Sequence, residues 1–137
     1  MRLVIDANII IAAFIQDSTV RRLLLRPGNV FYGPEFIVEE IRENFKEILE
    51  KSGLSREDAK TILESILGKV VIVPVQVIEE QLKQAERIME KIDKDDVPYV
   101  ALALAIRNDG IWSDDPHFQK LKGKIRVWRT AELIALL

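Results

Sequence analysis

The chain has 137 residues, 20 basic and 22 acidic for a net charge of −2, with 48% hydrophobic and 31% charged side chains, no cysteine and a single histidine. That composition excludes a disordered chain, a disulfide scaffold and a thiolate zinc site, so any metal must be held mainly by oxygen. It also argues against a protein that coats nucleic acid by general attraction, although an acidic pocket filled by a cation is locally neutral and a few flanking Lys and Arg can hold phosphates around it.

In chain order, Leu3-Val4-Ile5 reads as a buried strand ending at Asp6, before a second apolar stretch from Ile9 to Ile15. Ser18 caps a helix through Val20, Leu23 and Leu24 that Pro27-Gly28-Asn29 stops, and Val30-Phe31-Tyr32 follows as a strand. The spacing of Ile37, Ile41, Phe45 and Ile48 predicts one helix over Glu35 to Lys51, ended by Gly53. Ser55 and Asp58 open a helix from Arg56 to Leu67, Val70 to Val73 is a β-branched strand closed by Pro74, and a charged helix is expected from about Ile78 to Lys91. Val97 to Ile106 is apolar on nearly every side and predicts a buried helix, with Pro98 tolerated in its first turn. Ile111-Trp112-Ser113 resumes as strand, Asp114-Asp115-Pro116 breaks it, Ile125 to Arg129 is a last strand, and Thr130 caps a C-terminal helix.

Strands separated by helices throughout imply an α/β fold with a mostly parallel central sheet flanked by helices on both faces. The length suits a single domain, 1–137. No apolar run reaches the roughly 18 to 20 residues that span a bilayer, and the N-terminal stretch meets a charge too soon for a signal peptide, so a cytoplasmic protein without a membrane partner is expected.

Four places put acid beside the core: Asp6, Glu39-Glu40, Asp93 to Asp96, and Asp114-Asp115. Taken alone, each Asp could be a helix cap and each Glu a solvated helix face. Their convergence argues otherwise, because the strand ends of a parallel sheet point at one crevice. Close carboxylates raise one another's pKa and call for a cation; hard oxygen ligands select Mg²⁺ or Mn²⁺, which can activate water for in-line displacement at phosphate. At the border of the apolar stripe, Glu40 is better placed than Glu39, which turns further toward solvent.

These residues resemble the PIN-domain nucleases, the family that includes the VapC toxins of toxin–antitoxin pairs, over nearly the whole chain. V-I-D-A-N-I-I-I is similar to the family's strand ending in D-x-N or D-x-S, with Asp6 as first acid and Asn8 as a supporting polar residue. Glu40-Ile41 resembles its helical Glu followed by an aliphatic residue, and D-V-P-Y-V-A-L-A-L-A from Asp96 its third acid leading into an alanine-rich helix. I-W-S-D-D-P-H-F resembles the strand followed by T/S-x-D-x-x-F, which selects Asp115 over Asp114 and makes Ser113 the supporting hydroxyl.

The resemblance implies a three-layer, Rossmann-like PIN fold and a metal-dependent endoribonuclease, with Asp6, Glu40, Asp96 and Asp115 around one or two Mg²⁺ or Mn²⁺ ions. Asp93 is a supporting group or a loop acid, and which of Asp93, Asp95 and Asp96 are direct ligands stays open. RNA is the expected substrate, an antitoxin protein and a second copy of the chain the expected partners. A cellular RNA-processing nuclease and a non-catalytic scaffold are the alternatives; a scaffold would have no chemical reason to keep a repulsive cluster. His117 reads as a surface residue, Trp112 and Trp128 as core, and Lys120, Lys122, Lys124, Arg126 and Arg129 as a solvated basic stretch.

Overall fold

A computed structural model describes residues 1–15, 18–89, 93–121 and 123–136. The chain opens with β1 (Arg2–Ile5), α1 (Ala7–Ile15), α2 (Ser18–Leu25) and β2 (Val30–Pro34). There follow α3 (Phe36–Glu43), α4 (Phe45–Ser52), α5 (Arg56–Leu67), β3 (Val70–Val73) and α6 (Val75–Ile78), then a 3₁₀ turn (Glu79–Gln81) and α7 (Leu82–Met89). A second 3₁₀ turn (Lys94–Asp96) leads into α8 (Val97–Ala105), and β4 (Ile111–Trp112), α9 (Pro116–Gln119), β5 (Val127–Trp128) and α10 (Thr130–Leu136) complete the chain.

The five strands form one all-parallel sheet in the order β3-β2-β1-β4-β5. Central β1 pairs Leu3 with Phe31 on one side and Ile5 with Trp112 on the other, and Leu3, Val4 and Ile5 are almost wholly buried. An unbroken apolar run suits a strand covered on both faces. Edge strand β3 instead leaves Val71 exposed.

From β1 to β3 the chain steps one way across the sheet; at β4 it returns to the other side of β1. Right-handed crossovers then place the helices before β3 on one face and those between β3 and β4 on the opposite face. The packing agrees, since α1 lies against α2, α3 and α4, while α8 covers β1 and β2 beneath α6 and α7. This is the three-layer arrangement expected, and its reversal of strand order lies between β1 and β4, where ligands of such sheets gather.

Four boundaries differ from expectation. The helix over Glu35 to Lys51 is broken at Asn44, whose Nδ2 donates to the Glu40 carbonyl at 2.7 Å, a side-chain bond that competes with the backbone ladder. The charged helix begins at Val75, directly after Pro74, and passes through the 3₁₀ turn where Ile78 turns inward at φ −104°; residues 90–92, including the expected end at Lys91, lie outside the described residues. The last strand is shorter because the Ile125 N–H bonds back to the Leu121 carbonyl at 3.1 Å. Asp115-Pro116 starts α9 as well as ending β4: the Asp115 side chain caps the His117 N–H, and proline occupies the first turn.

Candidate metal centre

Asp6 stands one residue beyond β1 and is buried at 3% exposure. Its Oδ1 accepts the Ile9 N–H at 3.0 Å, so it does cap α1, while its Oδ2 accepts the hydroxyl of Ser113, one residue beyond neighbouring β4. Ser113 is wholly buried, and its Oγ also accepts the Asp115 N–H at 3.0 Å. One hydroxyl therefore fixes the first and fourth acids relative to each other. Asp115 turns Oδ1 to the His117 N–H at 2.9 Å, and Phe118, fully buried, anchors the turn in the core.

Two further acids come from helices. Glu40 lies half-buried on α3, accepting the Tyr99 hydroxyl at 2.9 Å from α8. Asp96 sits at the entry to α8 with its side chain 14% exposed, and its Oδ2 is buried without a hydrogen-bond partner. Asp93 closes the 3₁₀ turn by accepting the Asp95 N–H on Oδ1, leaving Oδ2 3.3 Å from His117 Nδ1.

Burial and mutual repulsion dominate the electrostatics. Burial pushes Asp6 up to about 7, against the lowering effects of Ser113 and Ile9, with Asp115 and Glu40 raising it further. Glu40 rises to about 7 through burial despite the Tyr99 hydrogen bond, with Asp96 adding repulsion. Asp96 also rises to about 7, through burial and then Asp93, Asp115 and Asp6. Tyr99, buried against Glu40, is held firmly protonated, which keeps it a donor.

The structure thus brings Asp6, Glu40, Asp96 and Asp115 to one end of the sheet, with Ser113 and Asp93 beside them. Asn8 is exposed on the first turn of α1 and makes no hydrogen bond to these acids among the described residues. Asp114 is exposed and turned away, accepting both the N–H and the hydroxyl of Thr130. Glu39 is exposed and ion-paired with Arg42, and Asp95 is exposed. Trp112 is core; Trp128 is half-buried, stacked under Arg126 at 4.0 Å and donating to the Asp109 carbonyl. Lys120, Lys124, Arg126 and Arg129 are exposed, and Lys122 lies outside the described residues.

Two supporting residues escape sequence reasoning. Tyr99 follows Asp96 by three positions in an apolar helix, and a buried phenol's need for a partner was the available signal. Gln119, whose Nε2 donates to the Ser113 carbonyl at 3.0 Å, has no such signal.

A hard divalent cation fits these residues: the donors are oxygens, three of the acids are held partly protonated by burial and crowding, and Asp96 Oδ2 has no competing partner. Fold and site together define a parallel α/β protein whose carboxylates gather at the sheet's switch point as a possible metal-binding group. The chain belongs to the PIN-domain family, a family of nuclease type: the family model for the PIN domain matches residues 4–135. A comparison with curated proteins gives no significant match.

Proposed function

We propose that this protein is a Mg²⁺- or Mn²⁺-dependent endoribonuclease that hydrolyses RNA phosphodiester bonds, and that its biological role is the toxin of a toxin–antitoxin pair. The observation that carries the reading is the convergence of Asp6, Glu40, Asp96 and Asp115 from four separate segments onto one sheet end, with three of them raised to about 7. Such crowding costs folding free energy and is relieved by a countercharge. Family membership supports nuclease chemistry; the choice of RNA and the toxin role rest on the resemblance to the toxin branch of the family.

Asp6, Asp96 and Asp115 would hold the cation, with Glu40 direct or through water. When bound, such an ion polarises the phosphodiester and activates water for in-line attack. The chain's own residues orient the donors: Ser113 fixes Asp6 and the turn carrying Asp115, and Tyr99 fixes one oxygen of Glu40. Arg87 and Lys94 line a cleft with Glu86, Met89, Val97 and Pro98 and would offer cations to flanking phosphates. A second copy of the chain and an antitoxin protein are the partners of this reading, and no helix among the described residues is long and apolar enough to cross a membrane.

The test is cleavage of a labelled structured RNA by the purified protein, with and without chelator. Internal cuts that need Mg²⁺ or Mn²⁺ and vanish in Asp96→Asn are expected. Cleavage unaffected by chelator, or retained in Asp96→Asn at equal metal concentration, would overturn the assignment.

A further inference from the structure

His117 is the one histidine of the chain, and its Nδ1 faces three carboxylate oxygens: Asp93 Oδ2 at 3.3 Å, Asp115 Oδ1 at 3.6 Å and Asp96 Oδ2 at 3.7 Å. The nitrogen is buried yet makes no hydrogen bond, although the ring itself is partly exposed. Charge-assisted N–H···O⁻ bonds run at about 2.7 to 2.9 Å, so these separations are too long for an imidazolium bonded to any one of the acids. The shortest of them, to Asp93, suits another geometry, and the other two are somewhat longer than it. Two donors each about 2.1 Å from a shared cation lie about 3.0 Å apart at a right angle and about 3.4 Å apart at the tetrahedral angle. Donor atoms of Asp93, Asp96 and His117 all lie within 4.8 Å of one another, so one ion can reach all three.

Local structure holds the ring in place. Asp115 caps the His117 N–H, Pro116 restricts the preceding backbone, and buried Phe118 pins the next residue. The imidazole is therefore presented to the acids by a braced turn, and Asp96 Oδ2, also buried without a hydrogen-bond partner, lies 3.7 Å from its Nδ1.

Resting on the cation-dependent reading above, we infer that His117 Nδ1 is a direct nitrogen ligand, joining Asp96 and Asp93 in a mixed nitrogen–oxygen site that favours a first-row transition ion such as Mn²⁺ over Mg²⁺. Mg²⁺ takes oxygen donors in strict octahedral geometry and keeps much of its water, whereas imidazole is a ready ligand for transition ions. The nitrogen donor also gives Asp93 a role as ligand that its place on a loop does not announce.

The test uses the full chain without a histidine tag, loaded with Mn²⁺ at pH 8, above the raised carboxylate values, in a buffer without coordinating nitrogen. Electron spin echo modulation of bound Mn²⁺ should carry a ¹⁴N coupling, and with a single histidine present that coupling can come from no other imidazole. It should disappear in His117→Gln, a substitution at a partly exposed side chain, with Mn²⁺ affinity falling at least about 10-fold and Mg²⁺ affinity changing by less than half that factor. An unchanged urea midpoint for the chelated variant shows that its fold is intact; a variant that unfolds is replaced by ¹⁵N-histidine labelling of the native chain, where the modulation must change from ¹⁴N to ¹⁵N. Mn²⁺ bound with oxygen-only coordination, or equal losses for both ions, overturns the inference and leaves the proposed function standing. Failure of Mn²⁺ to bind, or binding undiminished in Asp6→Asn and Asp96→Asn, overturns both.

Discussion

Replacing Asp6 by Asn separates the site's demand on charge from the fold's demand on shape. Burial lifts the Asp6 carboxyl from 3.8 to about 7, so above pH 7 the metal-free protein holds an ionised group in a place that prefers it neutral. A shift of about 3 units corresponds to about 4 kcal/mol against the folded state. The sign follows from proton counting. Between pH 4 and 7 the folded chain keeps a proton that the unfolded chain has lost, so stability falls as pH rises through that window and levels off above it. Asn keeps the volume and can still accept the Ile9 N–H, but its amide nitrogen now faces Ser113 Oγ, which loses its acceptor; that costs about 1 kcal/mol. With chelator at pH 8, Asp6→Asn should therefore be more stable than the native chain by about 3 kcal/mol, a rise of about 1 to 2 M in the urea midpoint for a domain of this size. At pH 4 the gain should vanish and the lost acceptor leave the variant slightly weaker. Mg²⁺ at about 100 times its Kd should stabilise the native chain by about 2.7 kcal/mol and the variant far less, and RNA cleavage by the variant should be lost. Urea titrations followed by circular dichroism at both pH values, with chelator or Mg²⁺, read all of this. A variant no more stable than the native chain at pH 8 would refute the reasoning and leave Asp6 an ordinary helix cap.

The paired acids after β4 should part company: Asp115→Asn should lower metal-dependent cleavage by orders of magnitude, whereas Asp114→Asn, which weakens only the bonds to Thr130, should cost about 1 to 2 kcal/mol of stability with little change in cleavage. Parallel metal titrations of both variants decide it, and a larger loss of cleavage for Asp114→Asn would contradict the geometry. Gly110→Ala should destabilise by about 2 to 4 kcal/mol, because φ is +131° and a Cβ would stand 2.6 Å from the Arg126 carbonyl oxygen where β4 approaches β5. A thermal midpoint within a degree of the native value would show that this approach is looser than described.

The fold was legible because its elements alternate plainly, and because a run such as Leu3-Val4-Ile5 suits only a strand buried on both faces. The acids were legible as positions: the aspartates follow a strand or enter a helix, and for the acid inside α3 both periodicity and resemblance point to Glu40 over Glu39. What stayed hidden was long-range partnership. The Tyr99 hydroxyl reaches Glu40 across 59 residues of chain, and Gln119 braces a carbonyl that any donor could have served. Asn8, given a supporting role by its place in a motif, is exposed on the first turn of α1. His117 was discounted as a lone histidine on a turn; only the packing of the 93–96 turn against its own turn reveals its neighbours.

The strand order has a consequence for synthesis of the chain. Central β1 emerges first, but its partner on one side, β4, begins only at residue 111. Until then the middle strand of the sheet has an open edge, and both Ser113 and Asp115 are missing. Every nascent or prematurely terminated product shorter than this lacks Asp115 and carries at most three of the four acids on an unclosed sheet, prone to pair with other strands. Under the proposed function, that timing would withhold the complete set of acids until about the last fifth of the chain is being made.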